Sequence, residues 1–193
     1  MALLAEELVE EWLNRAGFFT IRGVKIGVHE MDLLAIRPTR SGLECRHVEV
    51  QASVNPVSYL FRLSKRDQKS TGRAPTSSGK RTAAEIERGA DDWVKKKFTL
   101  PQKVKMLAQL APGPWSKELV VHRLRHPEEL VLLRKRGVIV HQLDDVLTQL
   151  MKGGMTVERA FGGDFLDLVL LGKVDHLSSG LVPSMSDGTE PEI

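Results

Sequence analysis

The sequence predicts an α/β domain, a mixed β-sheet flanked by helices in the order α, β, β, β, α, β, α, β with short helices at the C-terminal end. Three observations carry that prediction. Apolar residues recur at helical spacing over 3–16 and over 82–98. Three short β-prone runs, 18–22, 29–36 and 46–52, follow the first helix in close succession. From residue 117 onward strand-like and helical stretches alternate, which favours parallel pairing of the late strands.

Each element has its own signature. Leu4, Leu8, Trp12 and Leu13 form the apolar stripe of the first helix, and Gly17 stops it. Its acids Glu6, Glu7, Glu10 and Glu11 read first as a solvated face, with Glu6 or Glu10 turned toward a site as the sharper alternative. Residues 37–44 are turn-rich and join the second and third strands as a hairpin. In 82–98 the stripe is Ala83, Ile86, Ala90, Trp93, Val94 and Phe98, long enough for a crossover helix, and Lys95, Lys96 and Lys97 read as cations meeting its C-terminal dipole. A short helix over 100–111 is broken by Pro112-Gly113-Pro114. A buried strand over 117–123, a helix opened by Pro127 and closed by Gly137, a strand over 138–141 and a helix capped by Asp144 complete the order. The apolar run 165–171 reads as a docking helix.

Composition sets the frame. A chain of 193 residues, 41% hydrophobic and 27% charged, can bury one core, so a single domain over 1–177 is expected, with 178–193 as a disordered tail. No apolar run approaches the ~20 residues that span a bilayer, and the expectation is a soluble, cytoplasmic protein with no membrane partner. One cysteine, Cys45, excludes an internal disulfide and a cysteine zinc cage. Absence of a glycine-rich phosphate loop removes the usual support for nucleotide binding.

Two apolar runs carry acids where a core strand would carry none. Period two places Glu30 and Asp32 on one face of the second strand and His47, Glu49 and Gln51 on one face of the third. Unpaired carboxylates inside such a sheet cost several kcal/mol each, so a divalent cation is their natural compensation. His29 and His47 read first as exposed histidines at strand starts, with contact to substrate or metal as the alternative. Seven cations crowd residues 62–81 with few apolar partners, which reads as a mobile basic loop. Lys65, Arg66, Lys69, Arg73, Lys80 and Arg81 are its candidate contacts to nucleic-acid phosphates.

Asp32, the hairpin, Glu49-Val50-Gln51 and the acidic helix before them resemble the PD-(D/E)XK nucleases, in particular the Holliday-junction-resolvase-like branch. The resemblance covers roughly residues 3–143 and implies a restriction-endonuclease-like fold. It implies that Asp32 and Glu49, with the Val50 carbonyl, bind Mg2+ or Mn2+, and that Glu6 matches the helix acid of the family. Gln51 stands where the family has lysine, and Met31 where it has proline. Gln51 can orient water but supplies no charge, so Gln51→Lys is expected to raise activity. The implied function is a divalent-metal-dependent endonuclease hydrolysing DNA phosphodiester bonds. A catalytically weak or inactive nucleic-acid-binding or scaffold domain is the alternative. Two-fold dimers are common in that family, which makes a homodimer an expected assembly.

Overall fold

The computed structural model describes residues 2–53 and 58–157, and the readings made on 165–171 and 178–193 lie outside them. Helix α1 (Ala2–Arg15) precedes an antiparallel meander of β1 (Phe19–Ile26), β2 (His29–Thr39) and β3 (Gly42–Gln51). Then come α2 (Lys65–Thr71), α3 (Ala83–Val94), a π-helical turn over Lys95–Thr99 and α4 (Pro101–Leu110). Strand β4 (Trp115–Val121), α5 (Glu128–Lys135), β5 (Val138–Gln142) and α6 (Leu143–Lys152) follow. The sheet is mixed, in spatial order β1-β2-β3-β4-β5, with β3, β4 and β5 parallel as the alternation of late elements predicts. Among the described residues no helix is long and apolar enough to cross a membrane.

The core explains the placement of the crossover. Leu119 and Val121 of β4 and Val138 of β5 are buried with Ala90, Val94 and Phe98 from the α3 region and Leu130 and Leu133 from α5. Most of the predicted stripe therefore faces inward, while Ala83 is exposed in the first turn. Thr82 caps α3: its hydroxyl accepts from Glu85 N (3.3 Å), and Thr82 N donates to Glu85 Oε2 (2.8 Å). At α6 the cap position is Gln142, and Asp144 lies inside the first turn. Trp12 of α1 meets the His141 ring edge-on, with centroids 5.2 Å apart.

The basic stretch 62–81 carries folded structure where a mobile loop is expected. Ser64 caps α2 by accepting from Asp67 N (3.1 Å), and Asp67 is buried against Arg88 (2.6 Å). Leu60, Phe61 and Leu63 enter the core ahead of it. Glu129, fully buried at the start of α5, accepts from Leu60 N at 2.8 Å and Phe61 N at 3.4 Å, which pins this segment to α5. The apolar anchors lie just outside the cationic stretch, so composition inside it understates its packing.

Regular pairing gives way at one end of the meander. The β1–β2 rungs pass from Arg22–Leu33 to Val24–Met31, and between them Gly23 takes a left-handed conformation (φ 67°). A Cβ there would meet only Glu30 Oε1 at 3.7 Å, so the backbone angle rather than space calls for glycine. The β2–β3 rungs run from Thr39–Gly42 to Leu33–Val48 and stop one residue short of Asp32 and Glu49. Beyond that point a side chain takes over: Asp32 Oδ2 accepts from Val50 N at 2.8 Å.

Candidate active site

The antiparallel register places Asp32 next to Glu49 where the ladder ends, so the two carboxylates predicted to converge do so. Burial, then the charge of Glu49, pushes the Asp32 carboxyl up to about 7, against the opposing pull of Lys97 and the Val50 N–H. Glu49 is 1% exposed. Burial disfavours its charge most, but His47 and Lys97 outweigh this and hold its pKa below the usual carboxylate range. Its Oε1 lies 3.1 Å from His47 Nε2 and 3.5 Å from Lys103 Nζ, and its Oε2 pairs with Lys97 Nζ.

The cations at Glu49 come from the crossover, not from Gln51. In the π-helical turn the extra residue lets Lys97 reach Glu49 while Phe98 stays buried edge-on to the His47 ring, with centroids 4.8 Å apart. Burial pulls the Lys97 pKa down, yet Glu49, Asp32 and Glu30 more than offset this, so it rises and the group stays an ammonium. Lys103, 1% exposed on α4, donates to the backbone carbonyls of Glu30 (2.7 Å) and Lys97 (2.8 Å). It thereby ties β2, the turn and Glu49 together. Burial lowers its pKa.

The predicted residues divide clearly. Asp32, Glu49 and Val50 come together. Glu6 is half-buried, and its carboxyl is raised first by burial and then by Glu30, with Glu49 also contributing, which sets it in the field of the cluster. Glu7 and Glu10 instead meet Arg22, at 3.2 and 3.5 Å. Gln51 is half-buried beside Val121, and its backbone carbonyl accepts from His122 N at 3.1 Å. His47, expected to be exposed, is buried in the cluster with its pKa lowered by burial. Lys97 and Lys103 escaped sequence reasoning, although Lys103 falls four residues before buried Leu107, on the inward stripe of α4.

Of the basic candidates, Lys65, Arg66, Lys69 and Lys80 are exposed. Arg73 donates to Lys80 O (3.0 Å) and pairs with Glu85. Arg81 is buried, donating to Phe61 O (2.6 Å) and Ser77 O (3.0 Å) and stacking 4.0 Å over the Tyr59 ring. These two arginines hold the segment together. Arg81→Ala leaves the Phe61 carbonyl unpaired in the interior and is expected to cost about 1–3 kcal/mol. Denaturant unfolding should show that loss, while the salt dependence of any DNA binding stays unchanged.

Among the described residues no group of three or more His, Cys, Asp or Glu side chains closes a metal cage. The donors on offer are the Asp32 and Glu49 carboxylates and one backbone carbonyl. Within an extended residue N–H and C=O point to the same edge, so the Val50 carbonyl faces the Asp32 side as its N–H does. That all-oxygen set suits a hard cation that keeps several waters, and the ammonium against Glu49 marks the place as one that calls for positive charge. A cavity of about 210 Å³ opens beside it, lined by His29, Glu30, Asp32, Lys96, Lys97 and Lys103. Comparisons of the chain with protein-family models, with curated proteins and with solved structures find no match.

Proposed function

We propose that this protein is a divalent-metal-dependent nuclease that hydrolyses phosphodiester bonds in DNA, built on a restriction-endonuclease-like core. The observation that carries the reading is the convergence of Asp32 and Glu49 at the splayed end of β2 and β3 with Lys97 beside them. The helix, three-strand meander, crossover and two parallel strands agree with the fold that the motif implies. Asp32, Glu49 and the Val50 carbonyl would hold Mg2+ or Mn2+. Such an ion polarises the phosphate and lowers the pKa of bound water. Lys97 stays charged and so serves as a hydrogen-bond donor to a phosphate oxygen, the electrostatic part that Gln51 cannot play. Lys103 fixes the turn that carries it.

One observation favours a second reading. Glu49 is already satisfied by His47, Lys97 and Lys103, so a cation must displace an ammonium to reach it. A domain that binds DNA without cutting it would show the same arrangement. Incubating the protein with supercoiled, branched, flapped and single-stranded DNA, with magnesium or manganese, separates the two. Metal-dependent nicking that a chelator stops is the expected result. Binding with no cut on any substrate leaves the second reading standing.

A further inference from the structure

We propose that the groove between α2 and the π-helical turn is a track for the phosphodiester backbone of a DNA strand, running from Lys65 and Arg66 through Lys95 to Lys96 and ending at Asp32 and Glu49. It rests on the nuclease reading only for what happens at its end. The groove is an open cavity of about 780 Å³, lined by Ser64, Lys65, Arg66, Lys95, Lys96 and Leu100 among others. Lys96 also lines the small cavity that contains Asp32. One side chain therefore borders both spaces, and positive charge is continuous from the groove to the acids.

Two of the other three charges along the groove are already engaged. Arg88 is held by Asp67 (2.6 Å), and Asp91 by Arg136 (2.7 Å). Asp92 is exposed and remains as an opposing charge. Lys65, Arg66, Lys95 and Lys96 are exposed and enter no ion pair among the described residues. A helix-dipole role accounts for cations at the end of α3, but it does not account for two more on α2 facing the same groove. Among the described residues no aromatic side chain lines the groove, and those that do line it offer bases nothing to stack on. The contacts it provides are to phosphate, independent of sequence and released by salt.

The experiment is binding of the full, metal-free chain to fluorescent duplex DNA of two unrelated sequences across a salt series. Each phosphate neutralised contributes about 0.9 to the magnitude of the log affinity against log salt slope. Lys65→Ala with Arg66→Ala is expected to reduce that magnitude by about 1.8, as is Lys95→Ala with Lys96→Ala, equally for both sequences. Arg134→Ala with Lys135→Ala, exposed on α5, is the control and should leave the slope in place. The track is overturned if both groove pairs bind with the parent slope and affinity, or if the control pair lowers the slope as much. Thermal midpoints equal to the parent's ensure that a lost slope is not lost folding. The test needs no catalysis: slopes that fall in a protein that never cuts keep the track and sink the nuclease. Cutting with unchanged slopes does the reverse.

Discussion

Asp32→Asn is expected to abolish metal binding and cleavage while making the metal-free protein more stable at neutral pH. The variant keeps an oxygen for the Val50 N–H, so the local fold survives. It loses the charge that a cation needs, and affinity for manganese should fall by more than about 100-fold, beyond what losing an outer partner costs. The stability effect follows from the raised pKa of about 7 against the ordinary aspartate value of 3.8. A carboxyl raised in the folded state contributes stability that is complete below the unfolded pKa and is lost as pH rises through the folded one. The parent should therefore weaken between about pH 4 and 7 and level off above, whereas Asn does not titrate. Melting both proteins at pH 5 and pH 8 should show the advantage of the variant growing. The same proton competes with the cation, so the parent's manganese affinity should rise about tenfold per pH unit up to 7 and then flatten. Calorimetry that finds parental manganese affinity in Asp32→Asn would refute the site.

Lys97→Met should separate charge stabilisation from metal binding. Losing one donor to developing negative charge costs roughly 10²–10³-fold in turnover. Metal affinity should hold or rise, because the ammonium that competes for Glu49 is gone. Glu49 retains His47 and Lys103, so the loss of stability is expected at about 1–3 kcal/mol, well short of stranding a buried charge. The structure also revises the expectation for Gln51→Lys. Lys97 already supplies an ammonium at Glu49, so no gain is expected in the natural chain. In the Lys97→Met background, lysine at 51 should recover part of the lost turnover. Turnover measured on all four proteins checks the set, and an unchanged rate in Lys97→Met would remove Lys97 from the chemistry.

Much of the fold was legible because periodicity reports burial directly. Ala90, Val94 and Phe98 sit at helical spacing and are buried, and the alternation after Lys117 correctly announced parallel strands. The convergence of Asp32 and Glu49 followed from period two and a hairpin, both local properties. What failed was non-local. Arg81 looks like any other surface cation until the Phe61 carbonyl, twenty residues away, is seen to need it. His47 lies in the middle of β3, and nothing in its sequence neighbours says that Phe98 and Glu49 will enclose it. The two lysines were missed because they approach Glu49 from helices some fifty residues further on.

The π-helical turn makes the position of a charge depend on chain length as well as residue identity. In an α-helix each residue turns the chain by about 100°. Deleting one residue from Lys95–Thr99 would restore the ordinary helical period and swing every later side chain around the axis by roughly that angle. Lys97 would leave Glu49, or Phe98 would leave the core, with every functional side chain still present in the sequence. Conversely, a single inserted residue is enough to convert a solvent lysine on a crossover helix into a partner for a buried acid. The catalytic alphabet of such a site is thus partly written in insertions and deletions, and a search by residue type alone stops at Gln51 and finds the charge missing.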